Sequence, residues 1–373
     1  MVTRLRRYVR ELKHLDELNV QMIREIHRVG PRNISEIARM IGASKRTVHA
    51  RFSKLREEGL LKIKAVPTYH LLGLIGVHLF ANISLKSKVN VIDVLSVNDY
   101  LYEVRYCLGK YRGLLAKFII PIERVKEFEE YVDEIEDAGF LENCIIRYIV
   151  DLRPFLPNMS YFDFKSRSWH FNPEMFLNNL NRYGVGRIVL KDPEYFRLDV
   201  DRLDVLIVWA LEQDATVKLA TIARIAKVSR ALVKYHYDVH VSNKLIKGYL
   251  IETPFFTQGT YSLFLLEVKF HEALGLERFA YIMSRTPYIR TMCKEYRRDT
   301  LFVTLEIPIS DVCPFMFKIV NELSNKCRIA SYQLHMLSTD VIMQRSIPKD
   351  LFEEDKGWKY EGRHYIERVQ KSL

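Results

Sequence analysis

Long apolar runs, paired cysteines and glycine-rich loops are scarce in this chain of 373 residues, and each scarcity removes a class of function. No stretch approaches the roughly 20 consecutive apolar residues needed to cross a bilayer. The opening MVTRLRRYVRELKHLDEL has neither an apolar core nor a small-residue cleavage site, so no membrane partner and a cytoplasmic location are expected. The five cysteines are odd in number and widely spaced, with no C-x-x-C pair, which fits neither a disulfide framework nor a zinc ribbon. Gly184-Val185-Gly186 lacks the Lys and Ser/Thr of a phosphate loop and reads as a turn. Among the histidines only His236 and His240 have a metal-ligand spacing, i and i+4, and the helical period turns His240 towards the core. No nucleophile, base and acid stand together in a recognisable motif. No catalytic residue, metal ligand or cofactor is therefore assigned.

Acidic residues are outnumbered. The net charge is +11, and residues 1–66 carry 16 Lys and Arg against 7 Asp and Glu, so most of the excess sits in the first sixth of the chain. A polyanion is the expected partner of that region.

The chain also repeats itself. Ile37–Arg39 (IAR) recurs as Ile222–Arg224, and Ser44 and Val48 match Ser229 and Val233 at the same offset. Ile120–Ile122 (IPI) recurs at Ile307–Ile309, and Cys107 falls opposite Cys293. The order and near-constant offset predict a tandem duplication, each copy a helical head followed by an α/β body. The two cysteines are expected to be small buried hydrophobes rather than a redox pair.

The first head parses into three helices. Leu15–Val29 has apolar residues at helical spacing and stops at Gly30-Pro31. Ser35 or Asn33 caps Ile34–Ile41, and Gly42 ends it. Ser44 caps Lys45–Glu58, Gly59 closes that helix, and LLKIKAV has the alternation of a strand. Helix, helix, tight turn, helix and strand make a winged helix-turn-helix. On the third helix Val48, Phe52 and Leu55 share one face and turn Arg46, His49, Ala50, Ser53 and Lys54 outward. Arg46 and His49 suit base edges, Ala50 and Ser53 let the axis approach, and Lys45, Thr47 and Lys54 suit phosphates of double-stranded DNA. Ser44, Arg51 and the strand residues Lys62 and Lys64 complete the candidate DNA-binding set.

ISEIARMIGASKRTVHARFSKLREEGLLK, Ile34–Lys62, resembles the helix-turn-helix of the Lrp/AsnC regulators, including Ser44, Val48, Arg51, Leu55 and Gly59. That resemblance implies a βαββαβ effector and assembly domain after the head. The pattern has the same order: strand Leu74–Ile83, helix Val89–Ser96, strands Leu101–Leu108 and Leu114–Ile120, helix Arg124–Ala138, strand Cys144–Val150. Gly109 and Tyr111 match the family's Gly-x-Tyr turn and are the candidate effector residues, the implied effector being a small molecule such as an amino acid. The second body repeats the order from Tyr261 to Arg345, with the glycine-free turn CKEYRRDTLF.

The expected fold class is thus α+β, two winged helix-turn-helix domains each followed by a ferredoxin-like βαββαβ domain. The boundaries are 1–66, 67–151, an aromatic-rich connection 152–197, 198–256, 257–348 and a tail 349–373. The second head has 8 basic and 7 acidic residues between Leu198 and Phe256, so it should attract DNA weakly, through Arg230, Lys234 and Tyr235. The two bodies should pair through the apolar faces of Leu74–Ile83 and Tyr261–Phe270, as an internal counterpart of the family dimer. The connection should pack across body surfaces or join another chain, and a homodimer is expected. The expected function is a sequence-specific DNA-binding transcription regulator and not an enzyme. Its alternatives are an architectural DNA-binding protein and an enzyme resembling the sirohaem decarboxylases, which share the head and body; the charge of Lys45–Lys54 argues against the enzyme.

Overall fold

The computed structural model describes residues 15–84, 90–166, 168–196, 198–253 and 261–371. Asp16 starts α1 (Glu17–Val29) by accepting from the Asn19 N–H at 2.8 Å, and the helix buries Val20, Met22, Ile23 and Ile26. Asn33, rather than Ser35, caps α2 (Ile34–Met40), accepting from the Glu36 N–H. Ser44 Oγ accepts from the Thr47 N–H at 3.0 Å and starts α3 (Lys45–Glu57), whose Val48, Phe52 and Leu55 are buried. The following strand, β1 (Lys62–Pro67), forms no hairpin of its own. It pairs antiparallel with Ile246–Glu252, so that Lys62 lies opposite Glu252 and Pro67 opposite Ile246. The two wing strands share one ribbon.

The first body follows as β2 (Leu74–Ile83), α4 (Val91–Ser96), β3 (Leu101–Leu108), β4 (Arg112–Pro121), α5 (Val125–Asp137) and β5 (Leu141–Pro154). Val89, expected to open α4, lies outside the described residues. β5 is twice as long as expected because its end has a partner in the second half of the chain. After β6 (Phe162–Asp163), β7 (Ser168–Trp169) and α6 (Pro173–Tyr183), three helices recur: α7 (Arg202–Gln213), α8 (Leu219–Ala226) and α9 (Arg230–His236). α9 runs on as a π-helical segment, Tyr237–Leu245, into β8 (Ile246–Glu252). Then come β9 (Tyr261–Phe270), α10 (Ala273–Ser284), β10 (Ile289–Glu295) and β11 (Thr300–Pro308). α11 (Ile309–Pro314) continues through a π segment, Phe315–Val320, into α12 (Asn321–Lys326), and β12 (Ile329–Leu337) and β13 (Met343–Gln344) follow.

Eight strands close on themselves. Their order is β12-β9-β11-β10-β5-β2-β4-β3, and β3 pairs back to β12. The seams are β5 with β10, where Thr291 faces Pro154, and β3 with β12, where Leu337 faces Cys107. Each body alone would expose one apolar sheet face and two edges; closure covers both. Inside, Phe80, Leu115, Leu265 and Phe302 form a shared core with the buried Cys107 and Cys293. Burial pushes those two thiols up to about 11 and about 12, and all five cysteines are free.

The connection and the tail have one design. A short 3-10 turn, a two-residue strand pair and a helix occur at Met159–Tyr183 and again at Lys349–Lys371, where the pieces are β14 (Phe352–Glu353), β15 (Gly357–Trp358) and α13 (Gly362–Lys371). Each covers the body it does not follow. Phe155 N–H donates to the Arg290 carbonyl, Phe171 meets the Tyr288 ring, and Phe176 and Leu190 join the core of the second body. The tail returns to the first body, where Trp358 Nε1 donates to the Leu72 carbonyl at 2.6 Å and Tyr365 meets the Tyr131 ring. Residues 349–373, expected as a plain tail, are thus an integral layer up to Lys371. Among the described residues no helix is long and apolar enough to cross a membrane.

Candidate nucleic-acid interface and ligand cavity

The outward face of α3 is open. Lys45, Arg46, Thr47, His49, Ala50 and Lys54 are exposed and Ser53 is half-buried, while Val48 and Phe52 anchor the opposite side. Ser44 is spent on the cap, and its hydroxyl lies 2.8 Å from that of Thr47. Lys54 makes a 3.9 Å surface pairing with Glu58, which solvent weakens.

Two of the expected DNA contacts are committed elsewhere. Arg51 Nη1 donates to Asp16 Oδ2 at 2.5 Å and to Asn19 Oδ1 at 3.2 Å, bracing α3 against the start of α1. The residue lies on the flank of the helix, where the nearest anion is the cap of α1. Lys64 Nζ donates to Glu252 at 2.9 Å and to Gln344 at 2.8 Å, because β1 pairs with β8 rather than standing free. Lys62 remains exposed. The head is also tied to the second half: Arg32 donates to the Val217 carbonyl at 2.7 Å and Arg56 pairs with Asp214 at 3.1 Å.

The corresponding face of α9 has another character. Arg230, Lys234 and Tyr235 are exposed, but Lys234 is held by Asp238 on the same helix, and Leu232, Tyr235 and Val239 make the surface apolar.

A cavity of about 920 Å³ opens at the barrel mouth beneath the wing ribbon. Its walls are inward side chains of the barrel strands, with Lys62, Val66, Lys247, Leu250 and Glu252 from the ribbon as its roof. Seven Lys and Arg line it against five Asp and Glu, so it favours an anionic occupant. Burial alone would raise the Glu103 carboxyl, but Lys117 at 2.8 Å and Arg105 at 3.1 Å override it and hold the group down to about 2. Arg290 meets Glu306 at 2.7 Å, yet burial still raises the Glu306 carboxyl. His78 is held well below the usual histidine range, first by burial and then by Lys117, so it is neutral near pH 7. His78 Nδ1 and Glu306 Oε2 are buried without a hydrogen-bond partner among the described residues.

Gly109 and Tyr111 do not line this cavity. Tyr111 is buried in the far end of the barrel, its ring stacked on Phe80 at 5.2 Å and on His335 at 5.7 Å. A Cβ on Gly109 would come within 2.9 Å of the Leu334 carbonyl, so this glycine answers to a close approach of β12. The cavity residues themselves were missed from sequence. Their signal was present as polar side chains at alternate positions of otherwise apolar strands, such as His78, Lys117 and Glu306.

Residues 15–62 match the family model of the winged helix-turn-helix, DNA-binding. The N-terminal unit is therefore a winged helix-turn-helix of the DNA-binding kind. An uncharacterised HTH-type transcriptional regulator of Pyrococcus furiosus is 21% identical over 150 residues, which is 39% of this chain and 98% of that protein. Over nearly its whole length the chain shares the fold of the siroheme decarboxylase NirDL: the TM-score is 0.59 at 12% identity, covering 96% of this chain and 99% of that one. The same enzyme in complex with an iron-uroporphyrin III analogue gives a TM-score of 0.58 at 11% identity, covering 96% and 100%.

Proposed function

We propose that this protein is a sequence-specific DNA-binding transcription regulator of the Lrp/AsnC type, built as a tandem duplication of a winged helix-turn-helix and a βαββαβ body. The carrying observation is the α3 face, where Arg46 and His49 stand exposed near a capped helix N-terminus, with no carboxylate paired to them among the described residues. The second head supports binding weakly through Arg230 and Lys234. Its apolar Leu232, Tyr235 and Val239 suit a homodimer contact, which would place two first heads on one two-fold operator.

The cavity is the proposed effector site. Its volume lies at the upper end of the roughly 300–1,000 Å³ range of ligand pockets, larger than one amino acid requires. An anionic ligand there would touch the barrel and the wing ribbon together, and so bear on the heads.

A second reading rests on two observations, the whole-chain likeness to a siroheme decarboxylase and a cavity holding the neutral His78, whose Nδ1 has no hydrogen-bond partner among the described residues. Selection of bound duplexes from a random-sequence library separates the two. Enrichment of one motif supports the regulator. Failure to retain any duplex, with carbon dioxide released from added sirohaem, would replace it by the enzyme.

A further inference from the structure

The helix-turn-helix halves differ most informatively where no DNA would touch them. In the first head Asp16, Asn19 and Arg51 form one partly buried polar knot, a carboxylate, an amide and a guanidinium. The same places in the second head, 185 positions on (16 to 201, 19 to 204, 51 to 236), hold Asp201, Asp204 and His236. The permanent cation has gone and a second carboxylate has been added.

A further imidazole has joined them. His236 Nδ1 lies 2.9 Å from Asp204 Oδ1, and His240 Nδ1 lies 3.0 Å from Asp204 Oδ2. Asp201 Oδ2 is 3.5 Å from His236 Nδ1, while its other oxygen accepts from the Asp204 N–H in a capping box. Asp204 is 1% exposed and His236 8% exposed. One ligand atom each from Asp204, His236 and His240 fall within 4.8 Å of one another. A tetrahedral zinc site with bonds of about 2.0–2.1 Å has ligand–ligand edges of about 3.3 Å, so the atoms need move only by tenths of an ångström for the close pairs.

We propose that Asp204, His236 and His240 bind one divalent transition ion of the zinc kind, with Asp201 or solvent as the fourth ligand. Two imidazole nitrogens and carboxylate oxygens are the donor set such an ion takes, and calcium or magnesium would not choose the imidazoles. Chemistry agrees with charge: two carboxylates without the first head's guanidinium leave two negative charges for a dication. The ion would take the Nδ1 lone pairs that face Asp204, each imidazole then holding its hydrogen on Nε2, and would replace the two imidazole–carboxylate contacts. The expectation of no metal here rested on the histidine pair alone; Asp204, distant in sequence on α7, is the ligand it lacked. The ion would pin the π segment to the start of α7 and so fix the pose of α9.

The test is zinc titration of the full chain against a chromophoric chelator, with cobalt(II) absorption as a second probe. One ion per chain is expected in the wild type. His240→Gln should weaken it by more than roughly tenfold, since loss of a ligand should cost at least what loss of an outer hydrogen bond does. Asp204→Asn/His236→Arg, which copies the first head, should abolish binding and keep its melting temperature without metal. A wild type that takes up no zinc and shows no cobalt bands, or a His240→Gln variant that binds equally, overturns the site.

Discussion

Glu212 shows how a single side chain ties distant segments together. Its carboxylate accepts from the Tyr69 hydroxyl at 2.8 Å and from the Ile347 N–H at 2.9 Å, joining α7 to the start of the first body and the end of the second. Burial raises the group from 4.5 to about 7, more than these two donors lower it. The folded chain therefore keeps a proton that the unfolded chain releases. The stability this group contributes is full below about 4.5 and is lost as pH rises through about 7. Glu212→Gln should flatten the pH dependence across that window and stabilise the chain at pH 8 by up to about 3 kcal/mol. Denaturant midpoints at several pH values check this, and parallel curves for the two proteins would refute it. At the same scale the sequence was legible wherever one helix decided the outcome: Ser44 caps, Val48 and Phe52 go in, Arg46 and His49 go out. It misled at Arg51 and Lys64, whose partners Asp16 and Glu252 belong to other elements. Helical period fixes a direction, and only tertiary packing says what waits there.

Elements were read well where local rules suffice. β2 and β3 have the expected bounds, and α1 to α3 differ from expectation by a residue or two at their ends. The pairing of β1 with β8 and the twofold extension of β5 were not readable, because both depend on strands more than a hundred residues away. The straps were the largest omission. Phe162 and Trp169 in the connection correspond to Phe352 and Trp358 in the tail, yet the two stretches differ in nearly every other residue, and a constant offset no longer reveals them. Each supplies an aromatic pair to a neighbouring core: Trp358 meets Phe352 at 5.2 Å and Tyr100 at 6.4 Å. Trp358→Ala removes that packing and the hydrogen bond to Leu72, and should cost about 3 to 5 kcal/mol. Thermal unfolding tests this, and a loss below about 1 kcal/mol would mean that the tail is only draped on the first body.

On the scale of the whole molecule, the chain encloses its own interface. The two bodies share one barrel, each is covered by the strap that follows the other, and the wing strands join in one ribbon. Tethering makes such pairing intramolecular and hence strongly favoured over pairing with a free partner. The sequence anticipated pairing of the two bodies within one chain, from two matching apolar strand faces, but not their joining at strand edges, and the cavity between barrel and ribbon follows from that closure. Two unlike heads then sit on one closed frame. One offers Arg46, His49 and Lys54; the other offers Leu232, Tyr235 and a lysine held by Asp238. DNA affinity should therefore be unequal between them. The most direct measurement is fluorescence anisotropy of a selected duplex over a range of salt, comparing wild type with Arg46→Ala/His49→Ala and Arg230→Ala/Lys234→Ala. Loss of base contacts in the first variant should weaken binding by more than about 1 to 3 kcal/mol, while the second should lie close to wild type with nearly the same salt slope. Equal affinity of the Arg46→Ala/His49→Ala variant and wild type, or a larger loss in the second variant, would contradict binding through the first head.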